Sequence, residues 1–223
     1  MRKMSTFAVT LTILLCLALG GCTMNKETGK TGELEAVEIR EYQGEKLGSV
    51  DDFRENSIKG PQYIDIATYR LQINGLIQNP ASYTYDEVIN NHKNYKKVVT
   101  INCVEGWSVA ILWEGVLLRD LLENAEPVPE SKVVIFRAYD GYTTSLPLDY
   151  VMNHDILMAY KMNEITIPPE RGFPFQLVAE SKFGYKWIKW ITGIELSDDV
   201  NYRGYWESRG YSNTADLDKG FSE

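Results

Sequence analysis

In the stretch Lys97-Val98-Val99-Thr100-Ile101-Asn102-Cys103-Val104-Glu105-Gly106-Trp107-Ser108, four β-branched residues follow one another from Val98 to Ile101. β-Branched side chains are stiff at χ1 and pack well on a pleated surface, so the stretch predicts a strand. That strand delivers Cys103 at its C-terminal end, where strands often present functional groups. The chain holds 3 cysteines: Cys16, Cys22 and Cys103. Cys16 falls in a segment expected to be removed and Cys22 at a lipidation position, which leaves Cys103 as a lone thiol with no disulfide partner. By count alone, such a thiol reads as an inert buried residue. Its neighbours must decide otherwise.

Upstream, Tyr69-Arg70-Leu71-Gln72-Ile73-Asn74-Gly75 alternates as a strand does and ends on a turn signal, with a second turn at Asn79-Pro80. Thr84-Tyr85-Asp86-Glu87-Val88-Ile89 reads as a short capped helix. Downstream, Gly115-Val116-Leu117-Leu118-Arg119-Asp120-Leu121-Leu122 has helical spacing. Further strands are expected over 132–138, 156–160, 175–179 and 187–196. Many strands with few short helices predict an α+β domain rather than a regular βαβ alternation.

The first residues carry Arg2 and Lys3, an apolar run from Phe7 to Leu19, and Gly20-Gly21 before Cys22. This is the pattern of a signal peptide over 1–21 with a lipobox, and Cys22 is expected to be lipidated. The run is too short to span a bilayer comfortably. Residues 22–49 are polar and are expected to form a tether, with the folded domain over 50–223. The protein is then expected to be exported and lipid-anchored at the outer face of the cell membrane. A hydrophobic content of 44% and an aromatic content of 12% argue for a folded body. A net charge of −8 offers no basic face for phosphates, so nucleic acid is not an expected partner.

Most catalytic templates are missing. His92 and His154 are the 2 histidines, and neither gives a His-Glu-x-x-His helix or a zinc spacing around Cys103. No Walker-type loop or Gly-x-Gly-x-x-Gly fingerprint is present. A Cys103 nucleophile assisted by His154 remains open as a minor reading.

The segment Cys103-Val104-Glu105-Gly106-Trp107-Ser108, followed by Trp113-Glu114-Gly115-Val116-Leu117-Leu118, resembles the molybdenum-ligand segment of the sulfite oxidase family. Tyr69 to Ile77, Pro80 and Tyr83 to Val88 resemble the strand, turn and helix that precede that cysteine. Leu157 to Glu164, Pro168-Pro169-Glu170-Arg171-Gly172-Phe173-Pro174 and Gly184-Tyr185-Lys186-Trp187-Ile188-Lys189-Trp190 follow in family order. The likeness covers about 53–196. It implies a sulfite-oxidase-type molybdopterin-binding fold with mixed sheets, and a molybdenum-molybdopterin cofactor bound through Cys103. It also implies oxygen-atom transfer on a small oxo-compound, sulfite or a sulfoxide; the expected place at the membrane surface, and not the resemblance, suggests an electron-transfer partner in the membrane. A thiolate is the soft anionic donor such a metal favours.

By the same resemblance, Asn56 in Phe53-Arg54-Glu55-Asn56-Ser57 contacts the pterin, and Lys186, Trp187 and Lys189 lie in the cofactor segment. Arg171 and Gln176 stand where relatives commonly have His and Arg, and they are expected to be cofactor contacts. In size the chain is closer to the sulfoxide-reductase branch. Asp140 and Tyr142, in a turn that approaches the metal in relatives, are lesser candidates. The aromatic run Tyr202-Arg203-Gly204-Tyr205-Trp206-Glu207 with Tyr211 is open to two readings, a rim of a substrate or partner surface and, favoured here, ordinary packing on the domain. The substitutions Arg171 and Gln176, with the type of signal, keep open a rival: a cofactor-free binding lipoprotein of the same fold.

Overall fold

A computed structural model describes residues 37–222. The expected signal peptide, Cys22 and the first part of the expected tether lie outside the described residues. In chain order the elements are β1 (Glu41–Tyr42), β2 (Glu45–Lys46), β3 (Leu71–Gly75), β4 (Ala81–Tyr83), α1 (Tyr85–Asn91), β5 (Asn94–Asn102), β6 (Ser108–Leu117) and α2 (Leu118–Ala125). There follow β7 (Val133–Ala138), β8 (Thr143–Pro147), α3 (Leu148–Asn153), β9 (Leu157–Met162), β10 (Ile165–Thr166), β11 (Gln176–Val178) and β12 (Ile191–Ser197). Single 3-10 turns stand at Pro169–Arg171, Gly184–Lys186 and Glu207–Arg209. This is the expected α+β class, with mixed sheets and few short helices.

Two five-stranded sheets carry the fold. One runs β10-β9-β6-β5 with β11 also on β9, and the other runs β4-β3-β12-β7-β8. In the second, β3 and β12 are parallel while the remaining pairs are antiparallel. Leu71 and Ile73 from β3, Ile111 and Trp113 from β6, Leu121 and Leu122 from α2, and Phe136 from β7 join one buried cluster. Each such side chain taken from water stabilises by ~1.5–3 kcal/mol, an upper figure before chain entropy. Helix α1 starts where Thr84 and Glu87 cap each other: the Glu87 amide donates to Thr84 Oγ1, and the Thr84 amide donates to Glu87 at 2.8 Å.

The β5–β6 hairpin places the site. Its ladder runs without a break from Asn94 opposite Val116 to Asn102 opposite Ser108. Gly106, at φ 87°, turns the connecting loop. The helix expected over 115–122 is split here, because 115–117 belong to β6 and the helix begins at Leu118. Gly115 explains the break. A Cβ there would lie 2.3 Å from the carbonyl oxygen of Met158 on β9, an approach of two strands that only glycine permits.

The expected tether is also shortened. Glu38 accepts from the Val50 amide and from Asn163 Nδ2, each at 2.7 Å, and the Gly48 amide donates to Ala110 at 2.8 Å. Leu47 is buried. Residues 38–49 are therefore part of the domain. Their composition is polar, but their amides and a carboxylate are satisfied by the fold rather than by water.

Candidate active site

Cys103 is the first residue past β5. Its amide donates to Trp107 at 2.9 Å and its carbonyl accepts from Gly106 at 3.1 Å, which fixes the loop around the sulfur. The thiol is half-buried. Burial pushes it above its usual range; the backbone amides of Glu105 and Val104 and the charge of Arg54 pull the other way, while the Glu105 carboxylate adds to the rise. Asn56 Nδ2 donates to Cys103 Sγ at 3.9 Å. Burial outweighs these donors for the free thiol, and the same amides, carboxamide and guanidinium would serve a sulfur that a metal holds as thiolate.

The sulfur opens on a cavity of about 270 Å³, near the lower end of pockets that hold small ligands. Of the residues expected at the site, Asn56, Cys103, Arg171, Gln176, Trp187 and Lys189 all line it. They come from five separate parts of the chain. Gln176 is buried at the start of β11. Arg171 Nε donates to the Val50 carbonyl at 2.7 Å and Nη2 to that of Phe53 at 3.1 Å, with the guanidinium 5.2 Å from the Phe53 ring. Lys189 Nζ donates to Glu55 at 2.8 Å and to the Glu170 carbonyl at 3.2 Å, and lies 4.3 Å over the Trp190 ring. These two cations pin the loop that carries Asn56. Burial lowers the affinity of both for protons, with Glu55 opposing it at Lys189.

Lys186 is the exception. Its side chain and that of Glu207 are 0% exposed, 2.5 Å apart, and Lys186 also donates to the Ser145 carbonyl at 3.0 Å and to Asn213 at 3.3 Å. It does not line the cavity. The 3-10 turn Gly184–Lys186 points it inward, away from the face that Trp187 and Lys189 share. Trp187 presents a ring to the cavity but spends its N–H on the Lys182 carbonyl at 3.0 Å.

His154 is not a partner for Cys103. It caps the end of α3, its Nδ1 lies 2.8 Å from the Tyr150 carbonyl oxygen, its ring stacks on Tyr150, and it is absent from the cavity wall. The lesser candidates do reach the cavity: Asp140 holds the Tyr142 amide at 2.9 Å, and Tyr142 donates to the Tyr185 carbonyl at 2.6 Å. Arg54 and Trp190 also line it, although no role was expected of them. Arg54 stands two positions before Asn56, and that adjacency was its one signal. Trp206 and Tyr211, for which packing was favoured over rimming a surface, form part of the wall.

The donor set tests whether a molybdopterin fits. Among the described residues no group of three or more His, Cys, Asp or Glu side chains could enclose a metal. One sulfur can serve a metal here only if a cofactor brings the other ligands. A dithiolene does that. Arg54, Arg171 and Lys189 supply cations suited to a phosphate, and Asn56 and Gln176 supply amides suited to a pterin edge.

The family model described as the oxidoreductase molybdopterin binding domain matches residues 58–206. An uncharacterized oxidoreductase, YuiH, of Bacillus subtilis is 35% identical over 70% of this chain and 78% of its own length. A putative protein-methionine-sulfoxide reductase subunit, YedZ1, of Azospira oryzae is 30% identical over 67% of this chain and 56% of its own. The protein-methionine-sulfoxide reductase catalytic subunit MsrP of Gluconobacter oxydans is 31% identical, with 47% of its length matched. The chain thus spans about half the length of those two reductases. Among solved structures, the sulfane dehydrogenase SoxCD of Paracoccus pantotrophus superposes with a TM-score of 0.64 at 24% identity, covering 72% of this chain and 44% of that one. That likeness concerns the fold.

Proposed function

The chain belongs to the oxidoreductase molybdopterin binding domain family and is a molybdopterin-dependent oxidoreductase; from that premise we propose that Cys103 is its molybdenum ligand and that it transfers an oxygen atom to or from a small oxo-compound, sulfite or a sulfoxide. The observation that carries this is the Cys103 sulfur at the cavity, met by Asn56 and held in place by the loop's backbone hydrogen bonds. Bound molybdenum supplies a two-electron change together with an exchangeable oxygen. The chain's residues bind and orient. The Cys103–Gly106 turn fixes the sulfur, and Asn56 holds it from the side. Lys189, Arg171 and Arg54 offer charge to the phosphate end. The aromatic walls from Trp107, Trp187 and Trp190 would exclude water around a bound cofactor.

Two relatives named as methionine-sulfoxide reductase subunits support a sulfoxide as one substrate. We further propose export and anchoring through a lipidated Cys22, with electrons exchanged at the membrane. Cys22→Ala should move the protein from the membrane fraction to the soluble one.

The central test is thiol protection. In protein matured with molybdenum, Cys103 should resist iodoacetamide, and after cofactor removal it should be alkylated. Equal labelling in both states, or loaded protein without molybdenum or pterin fluorescence, sinks the assignment. Cys103→Ser replaces a soft donor with a hard one and should abolish turnover with the fold intact.

A further inference from the structure

Five aromatic side chains close a ring at the cavity. The Tyr142 and Tyr205 rings lie 5.7 Å apart, Tyr205 and Trp206 5.3 Å, Trp206 and Tyr211 5.1 Å, and Tyr211 and Tyr185 5.2 Å. The Tyr142 hydroxyl then closes the circle on the Tyr185 carbonyl. Tyr142, Tyr185, Trp206 and Tyr211 line the same cavity as Cys103, and Gly184, next to Tyr185, packs against the Cys103 backbone. Tyr211 lies beyond the 58–206 stretch that the family model matches, while the other four rings lie within it. This wall is held from beneath by Glu207, which accepts from Thr144 and Lys186 and is wholly buried.

The donors of the collar are not equivalent. Tyr142 and Tyr185 spend their hydroxyls on the carbonyls of Tyr185 and Ser212. Trp206 Nε1 and the Tyr211 hydroxyl meet no acceptor among the described residues, and Trp206 is 37% exposed. The charge of the cavity wall balances: Arg54, Arg171 and Lys189 stand against Glu105, Asp140 and Glu170. Each of the three cations already has a carboxylate or carbonyl partner. With those cations given to the cofactor's phosphate, a hydrated dianion such as sulfite finds no cation left to it at the collar and would be desolvated against the negative faces of aromatic rings. An uncharged sulfoxide finds polarizable faces for its sulfur and carbon, and N–H and O–H donors for its oxygen.

Building on oxygen-atom transfer as the reaction, we propose that Trp206 and Tyr211 are the specificity-determining residues of the site, and that they select an uncharged organic sulfoxide over an inorganic oxyanion. The reaction served is R2S=O + 2 electrons + 2 protons → R2S + water: the S=O bond breaks, sulfur is reduced, and an external one-electron carrier supplies the electrons.

Two arms test this. In the first, saturation-transfer NMR follows methyl p-tolyl sulfoxide on cofactor-free protein. The parent should bind, and Trp206→Ala and Tyr211→Ala should each weaken binding about tenfold, as a lost ring contact and hydrogen bond imply. No binding to the parent, or equal binding by the variants, overturns the proposal. In the second, the loaded enzyme is assayed with reduced methyl viologen and the sulfoxide. Trp206→Ala should raise KM about tenfold and leave kcat within about twofold. An unchanged KM, or a parent that prefers sulfite with ferricyanide as acceptor, overturns the proposal. A loaded parent that turns over neither substrate refutes the oxygen-transfer reading, while the NMR arm still decides the collar.

Discussion

Replacing Lys186 by Met tests a wholly buried charge. Both Lys186 and Glu207 are 0% exposed, and burial holds the Lys186 ammonium below its ordinary affinity for protons even with Glu207 against it. The substitution keeps the volume but strips Glu207 Oε1 of its ammonium, leaving only the Thr144 hydroxyl there. Glu207 Oε2 has no hydrogen-bond partner among the described residues, so the carboxylate has nothing to fall back on. A buried charge left alone costs about 3–5 kcal/mol. At roughly 2–4 °C per kcal/mol for a chain of this size, Tm should fall by about 6–20 °C. The double variant Lys186→Met/Glu207→Leu removes both charges and should recover most of the loss, because an apolar pair of similar volume is often no worse than a buried ion pair. Urea unfolding followed by tryptophan fluorescence, with m unchanged, reads both effects. A single variant within about 1 kcal/mol of the parent, or a double variant no better than the single, refutes the reasoning.

Other sites give sharper signs. Burial works upward on the Glu114 carboxyl, but the Tyr160 hydroxyl and the ammonium groups of Lys161 and Lys96 outweigh it and hold it below its ordinary value. Its contribution is therefore full above the unfolded carboxylate range and lost as pH falls through the lower folded value, so the stability gap between parent and Glu114→Gln should close below about pH 4. A gap constant from pH 3 to pH 7 would falsify this. Gly75→Ala would place a Cβ 2.1 Å from the Leu196 carbonyl oxygen, at φ 92°, in the parallel β3–β12 pair; a loss of more than about 2 kcal/mol is expected by urea unfolding. Thr84→Ala opens the α1 capping box and should cost about 1 kcal/mol by the same measurement, with Glu87→Ala showing a smaller loss.

What could be read from the residues follows from where the information is stored. Strand β5 was legible because its β-branched run is local, and α1 because its cap is three residues long. Strand β6 was not, since Val109 to Leu117 is covered on both faces and shows no alternation to separate strand from helix. The site residues could be named through spacing motifs, and Asn56, Cys103, Arg171, Gln176, Trp187 and Lys189 do meet around one cavity. Lys186 could not be placed that way. In an extended segment 187 and 189 share a face that 186 does not, and the 3-10 turn then sends Lys186 to a carboxylate 21 positions away. The aromatic collar was half legible: the run 202–207 with Tyr211 was open to rimming a surface, but its ring partners were not in view. Its ring pairs join Tyr142 to Tyr205 and Tyr185 to Tyr211, and no pattern within a short window specifies either. Those long-range contacts are held by the buried Lys186–Glu207 pair, so a residue expected at the cofactor sits instead beneath the aromatic wall of the cavity. Loosening Lys186 or Glu207 should therefore disturb substrate KM before it touches the loop that fixes Cys103.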